Sequence, residues 1–228
     1  MNPTETKVIS FALWGDSPMY LKGAVENAKL APTVYPGWVC RFYCDDRLIE
    51  TVGRDLASIG AEVYPKAACD TYLGLYWRFE VAGDETVDRF IIRDADSRLN
   101  ARGAAAVRAW EQSGRPFHLM RDHQVYHNVP IMGGMWGAVR GFMPDFMSKM
   151  EWWLAEEVQK RYRPDKGYWG SDQVFLKHHV WPVIQGNFLG HDNSRRSPGR
   201  GDQRFSVELG RKRFVGQQYD ANNNPIFP

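Results

Sequence analysis

Short β-branched and aromatic runs alternate with helical stretches along most of this chain, and that alternation restricts the fold more than any other feature. Val8-Ile-Ser-Phe-Ala-Leu-Trp14 reads as a buried strand. Gly15-Asp16-Ser17-Pro18 then turns the chain and opens a helix, with a capping side chain and a proline suited to the first helical turn. That helix should run to about Leu30 and stop before Pro32. Trp38 to Tyr43 reads as a second strand, followed by Asp45-Asp46 and a helix to about Ser58. Gly60 breaks the pattern, and Glu62 to Tyr64 gives a short third strand. A helix containing Tyr76-Trp77-Arg78-Phe79 leads to the strand Phe90 to Ile92, and Ala101 to Gln112 is helical. Phe117 to Met120 and Ile131 to Val139 read as strands, with helices at about Pro144 to Arg161 and Ser171 to His179. Strand-helix units this short predict an α/β fold, a mixed, mostly parallel sheet flanked by helices.

The strand Phe90–Ile92 carries the strongest chemical signal. It empties into Asp94-Ala95-Asp96-Ser97-Arg98-Leu99, two carboxylates spaced i and i+2. Side chains alternate along an extended strand, and once the chain turns off the sheet edge both carboxylates can converge on one point. Ligands of α/β sheets bind outside the carboxyl ends of the strands. Hard oxygen donors in that number suit a divalent cation that also holds phosphate oxygens. A solvated loop would have the same spacing, so the neighbouring motifs matter. Arg78 lies sixteen residues earlier, and an arginine fork can hold phosphate or carboxylate bidentately. Arg121-Asp122-His123 directly follows a strand. Gly133-Gly134-Met135-Trp136-Gly137 permits close backbone approach to a ligand. Asp172-Gln173 opens a helix after the Tyr168-Trp169-Gly170 turn, and His191-Asp192 lies past the last clear helix. His118, His123 and His127 have irregular spacing that matches no helical zinc motif. No Gly-x-Ser-x-Gly elbow, Walker loop or Gly-x-Gly-x-x-Gly fingerprint is present.

Bulk properties bound the rest. A length of 228 residues fits one large domain, or a domain with a tail, at roughly 150 residues per domain. Residues 193–228 hold seven basic and three acidic side chains and net +4, whereas residues 1–192 net −2. This divides the chain into a catalytic domain, 1–192, and a basic C-terminal segment, 193–228. That segment reads as a flap meeting phosphate, or as a patch touching an anionic membrane face. A net charge of only +2 gives no case for nucleic acid. Nine Trp, ten Tyr and twelve Phe exceed what a core of this size usually needs, and surplus rings line clefts for planar bases or sugars. Cys40, Cys44 and Cys69 suggest no disulfide framework, and the first apolar run is too short for a signal peptide or a membrane span. A reduced, cytoplasmic protein is the expectation.

In order, these residues resemble a GT-A-fold glycosyltransferase: a first strand and helix, Tyr76-x-Arg78, a strand ending Asp94-x-Asp96, a glycine-rich strand, Asp172-Gln173 and a late His191. The pattern is most similar to the retaining family-8 type, which includes glycogenin and lipooligosaccharide galactosyltransferases, and to a group of bacterial glycosyltransferase-like sequences. It spans about residues 7–192. The resemblance implies a GT-A-like, Rossmann-like nucleotide-binding fold and a nucleotide-diphosphate sugar as donor. It implies Mn²⁺, or Mg²⁺, held by Asp94, Asp96 and His191. Arg78 would contact the donor, with Arg93 and Ala95 flanking the first aspartate, and Trp14 or Tyr20 would stack on the base. Asp172 and Gln173 would lie beside the reacting sugar as the catalytic pair. A glycan or other acceptor would enter beside Arg121, Asp122, His123, Gly133, Gly134 and Trp136. Two departures stand out: Arg93 replaces the family's Tyr or Leu, and the usual His-x-x-Gly-x-x-Lys-Pro-Trp ending is reduced to His191-Asp192.

Two other functions fit parts of the sequence. A haloacid-dehalogenase-type phosphatase also places Asp-x-Asp after an apolar strand, the first aspartate serving as nucleophile. Its motif normally opens the domain, and here about ninety residues precede it. A nucleotide- or carbohydrate-binding protein could keep the fold without turnover.

Overall fold

A computed structural model of the protein describes residues 5–158, 170–194, 201–210 and 212–227. Eight strands form one sheet in the order β3-β2-β1-β4-β6-β5-β7-β8. They are β1 (Lys7–Leu13), β2 (Val39–Asp45), β3 (Glu62–Lys66), β4 (Arg89–Ile92), β5 (Phe117–Arg121), β6 (Trp136–Val139), β7 (Phe188–Asp192) and β8 (Asp202–Gln203). β6 alone runs antiparallel to its two neighbours, β4 and β5; the other pairings are parallel. This is the mostly parallel α/β sheet expected from the alternating pattern.

Strand alternation builds a core on each face of the sheet. Ile9, Phe11 and Leu13 of β1 and Ile91 of β4 point to the face covered by α1 (Pro18–Val34) and α3 (Ala101–Ser113), with α2 (Arg54–Ser58) beside them. Val8, Phe90 and Ile92 point to the other face. There they meet Phe79 of a 3₁₀ segment (Tyr72–Gly83), Phe146 of α4 (Phe146–Trp152) and Phe175 of the helix Ser171–Phe175. Most of the aromatic surplus lies in these layers. Trp136 stacks on Phe117 and meets Phe79 and Phe90 edge-on, and Trp110 stacks on His118. β1 lies between β2 on one side and β4 on the other, so connections leave it in both directions. The carboxyl ends of β1 and β4 therefore border a topological switch point, the usual ligand crevice of such sheets.

Several elements differ from the sequence reading. α1 passes through Pro32 to Val34, because a proline so close to the end removes one backbone donor while Tyr35 N still bonds Ala31 O at 2.8 Å. The Arg78 stretch is a 3₁₀ segment rather than an α-helix. Only Trp136–Val139 of the expected Ile131–Val139 strand is extended, since the chain turns at Met132–Met135. The long late helices are broken into short α and π stretches, and 159–169, with Tyr168 and Trp169, lie outside the described residues. His191 and Asp192 belong to a strand, β7, which pairs with β5. The expected division at residue 192 is also not a break in the fold. β8 extends the same sheet, and Phe205 and Val215 are buried with Ala106, Met120 and Met135. Arg195, Arg196, Arg200 and Arg211 lie outside the described residues.

Candidate active site

Asp94 and Asp96 leave β4 in a tight turn: Ser97 N and Ser97 Oγ both donate to Asp94 O, at 3.2 and 2.9 Å. α1 clamps this turn from below. Buried Asn27 donates from Nδ2 to Ala95 O (3.3 Å) and Ser97 O (2.8 Å) and accepts from Leu99 N (2.9 Å). Four residues away on the same helix face, Gly23 lets the helix touch the turn, for a Cβ there would overlap Ala95 O. Gly23, Ala24, Asn27, Ala28 and Ala31 form the buried stripe of α1. One polar residue in a small-residue stripe is the signal that could have identified Asn27 from sequence.

The two carboxylates open into a cleft of about 450 Å³. Its walls include Trp14, Tyr20, Tyr72, Arg78, Tyr126, His127, Gly133, Gly134, Asp172, Gln173, Phe214 and Gln218. Arg78 is buried at its base, one guanidinium nitrogen donating to Asp94 and the other to Asp172 Oδ2 at 2.8 Å. The turn containing Gly133 and Gly134 lies directly over these groups. A Cβ on Gly134 would fall on the Asp94 carboxylate, and one on Gly133 would strike Asp172 and Arg78. Gln218, from the C-terminal strand of chain that crosses the cleft, donates to Asp96 Oδ2 at 2.6 Å. Burial raises the Asp96 carboxyl to about 6, and the neighbouring Asp94 adds to the shift. Burial likewise raises Asp172, against the lowering pull of Arg78. Tyr20 rises through burial and the two aspartates it faces.

Beside this cleft and sharing Trp14, Tyr20 and Tyr72 with it lies a second hollow of about 340 Å³, lined by 12–17, Asp70 and Thr71. It sits at the carboxyl end of β1, with aromatic walls suited to a planar base.

The sequence-predicted residues thus separate into two groups. Trp14, Tyr20, Arg78, Asp94, Asp96, Gly133, Gly134, Asp172 and Gln173 are brought to one cleft. The others are placed elsewhere. His191 is buried between His118 (3.1 Å) and Gln203 (2.7 Å), which take both its ring nitrogens, and burial pulls its pKa down to about 4. It does not join Asp94 and Asp96. Arg121 binds Asp192, Asp202 and Pro130 O, and Asp122 receives Arg102 twice, Asn193 and Val215 N. This is an internal ion-pair network rather than an acceptor surface. Trp136 points into the core. His123 packs against Tyr126 and Phe214, outside the cleft lining. Arg93 is buried, bonded to Ile92 O, and the Ala95 carbonyl faces Asn27. Arg78 itself is engaged by two aspartates, so its fork is not presented to a phosphate. Of the basic residues expected to form a flap, Arg204, Lys212 and Arg213 lie among the described residues. Arg204 binds Asp192 O and Arg213 binds Tyr219, while it is Phe214, Gly216, Gln218 and Ile226 that border the cleft. His127 enters the sequence reading only through the irregular histidine spacing that matches no zinc motif, and nothing local links it, Phe214 or Gln218 to Asp94.

Among the described residues no three His, Cys, Asp or Glu side chains form a metal cage. Asp94 and Asp96 supply only carboxylate oxygens. That donor set fits a hard divalent ion of the kind that takes one or two carboxylates and completes its shell with substrate phosphates and water.

Neither a family model nor a curated protein matches the chain. Solved structures similar to it include the glycosyltransferase GlyE of Streptococcus pneumoniae, at 12% identity and a TM-score of 0.49 over 83% of this chain and 45% of that one. A 4-diphosphocytidyl-2C-methyl-D-erythritol synthase of Anaerococcus prevotii gives 10% identity and 0.45 over 68% of this chain and 77% of that one. A cytidylyltransferase of Leptospira borgpetersenii gives 14% identity and 0.42 over 84% and 77%. Likenesses this distant leave the chemistry of this chain to its own residues. Among the described residues, no helix is long and apolar enough to cross a membrane.

Proposed function

We propose that this protein is a GT-A-like, metal-dependent glycosyltransferase that moves a sugar from a nucleotide-diphosphate donor to a glycan or other hydroxyl acceptor, with retention at the anomeric carbon. The observation that carries the reading is the convergence of Asp94, Asp96, Asp172 and Gln173 on one cleft at the switch point of the sheet. An aromatic hollow for the base adjoins it. Asp94 and Asp96 would hold Mn²⁺ or Mg²⁺ together with the donor diphosphate. The bound ion would neutralise charge on the leaving diphosphate without requiring its protonation. Trp14, Tyr20 and Tyr72 would receive the base. Arg78 fixes the relative placement of Asp94 and Asp172, and the glycines let backbone approach the diphosphate closely. Asp172, paired with Arg78, suits electrostatic support of a developing oxocarbenium ion, and Gln173 suits holding a sugar hydroxyl.

A phosphatase would need Asp94 free as a nucleophile, and its bond to the buried Arg78 disfavours that role. A binding protein without turnover shares every group named above, and donor hydrolysis in the presence of Mn²⁺ separates the two.

The direct test is calorimetry of a panel of nucleoside diphosphates with and without Mn²⁺, in the parent and in Asp96→Asn. The parent should bind one of them in a Mn²⁺-dependent manner, and the variant should lose that dependence. Unchanged metal-dependent affinity in the variant would place the site elsewhere. Product anomer by NMR then checks retention.

A further inference from the structure

We infer that His127 reads the sugar carried by the donor, giving one hydrogen bond from Nε2 to an uncharged oxygen of that sugar. This rests on the glycosyltransferase reading of the cleft and adds to it a residue that selects the sugar.

The tautomer follows from the backbone. His127 Nδ1 accepts the Asp122 N–H at 2.8 Å. A ring nitrogen that accepts has no proton, so a neutral imidazole must carry its proton on Nε2. The residue is 4% exposed, which favours the neutral form, and its ring is braced edge-on by His123 and Phe214. Nε2 has no protein partner among the described residues and is not sealed in the interior. His127 is part of the cleft lining, so the cleft is where that donor finds its acceptor.

The C-terminal strap locates this donor relative to the carboxylates. Val215 N is bonded to Asp122, the residue whose own N–H holds His127. Three residues on, Gln218 is bonded to Asp96. Three residues span at most ~11 Å of extended chain, so Val215 and Gln218 are at most that far apart, and His127, Asp94 and Asp96 line one cleft of about 450 Å³. A group attached to a diphosphate at Asp94 and Asp96 can therefore reach His127. Around it the wall is made of Tyr126, Asn128, Phe214 and Gly216. Among the described lining residues Arg78 is the single basic side chain, and it is engaged by Asp94 and Asp172. Such a wall offers nothing to a second phosphate. Two aromatic rings, with the His127 N–H and the Asn128 amide as neutral polar groups, suit a hydroxylated ring that has an apolar face.

Two substitutions separate this role from the structural one. In His127→Asn the amide oxygen can take the place of Nδ1 and keep the Asp122 bond, but nothing replaces Nε2. In His127→Gln the amide nitrogen reaches the position of Nε2, but the Nδ1 acceptor is lost. Each variant is titrated by calorimetry, with Mn²⁺, with UDP, GDP, CDP and dTDP and with UDP-glucose, UDP-galactose, GDP-mannose and dTDP-glucose; melting temperatures are recorded alongside. The expected result is that His127→Asn melts near the parent and binds the responding nucleoside diphosphate equally well. It should bind that nucleotide's sugar conjugate at least tenfold more weakly. His127→Gln should melt lower yet recover most of the sugar-conjugate affinity. In ¹⁵N NMR of the parent, the Nε2 resonance of His127 should carry the proton and shift with the sugar conjugate but not with the diphosphate. Parent-like sugar-conjugate binding by His127→Asn, or equal losses for diphosphate and conjugate, overturns the inference and leaves the transferase reading standing. No Mn²⁺-dependent binding of any nucleotide by the parent overturns the transferase reading and this inference with it.

Discussion

Buried Arg78 holds two aspartates that would otherwise repel each other, the partly exposed Asp94 on one nitrogen and the buried Asp172 on another. Removing one partner of a buried ion pair typically costs about 3–5 kcal/mol, because the remaining charge is left uncompensated. Arg78→Ala should lose stability of that order in urea titration, and Arg78→Lys should recover only part of it, since one compact ammonium does not reproduce the two separate guanidinium nitrogens that meet the two carboxylates. A loss below ~1 kcal/mol for Arg78→Ala would mean that the three groups do not form a unit. Asp96 yields a prediction with a definite sign. Its folded pKa is raised to about 6 from 3.8, so between these values the folded state holds a proton that the unfolded state has released. The stability from that proton is complete below about pH 4 and lost as pH rises through 6, where the buried charge costs up to about 3 kcal/mol. Asp96→Asn, a neutral isostere, removes this term. The difference in unfolding free energy, variant minus parent, should grow from pH 4 to pH 7; a flat difference would show that Asp96 titrates normally. The same residues show what one sequence can reveal. Asp94, Asp96, Asp172 and Gln173 could be picked out because strand ends and helix starts deliver side chains to one edge. Arg121, Asp122 and His191 sit at equally promising positions. Their partners, such as Asp202 for Arg121 and Val215 for Asp122, lie up to 93 residues away, and local sequence does not distinguish an internal ion pair from a ligand site.

At the scale of elements, the Asp-x-Asp turn is a product of α1 as much as of β4. The Asn27 amide makes three hydrogen bonds to the turn, donating to Ala95 O and Ser97 O and accepting from Leu99 N. Asn27→Ala would leave buried backbone groups without partners at about 1–3 kcal/mol each, so at least ~2 kcal/mol of stability should be lost. Because Ala95 lies between the two aspartates, Mn²⁺-dependent nucleotide affinity should fall as well. A variant that unfolds earlier but binds normally when folded would show that β4 alone sets the turn. The strand-helix alternation makes β1, β2, β4 and β5 readable, since each carries an apolar run bounded by turn residues, whereas β3 has only Val63 and Tyr64 and is marked by the Gly60 break before it. β7 was missed because Gly190, His191 and Asp192 interrupt its short apolar start. The strap that crosses Asp96 carries no periodicity at all. Its course is set by single long-range contacts, Val215 to Asp122 and Gln218 to Asp96, and such contacts leave no local pattern.

For the whole molecule, the distribution of charge matters more than its total. The chain nets +2, yet the described lining of the cleft holds three carboxylates, Asp94, Asp96 and Asp172, against one guanidinium, Arg78. The upward shifts of Asp96 and Asp172 reflect the same surplus, burial first and mutual repulsion after it. An anionic diphosphate alone therefore meets a repulsive cleft. A divalent cation alone relieves the surplus, but two carboxylates leave most of its coordination shell to water. The two together balance each other, so their binding should be strongly coupled. Thermal unfolding measures this directly, because a ligand confined to the folded state adds about 2.7 kcal/mol at one hundred times its dissociation constant. Mn²⁺ alone and nucleoside diphosphate alone should each shift the midpoint little. Their combination should shift it by more than the sum, and the excess should vanish in Asp96→Asn. A nucleoside diphosphate that stabilises the protein fully in the presence of a chelator would show that cationic groups of this chain, not a metal, neutralise the phosphates, and the role assigned to Asp94 and Asp96 would fall with that result.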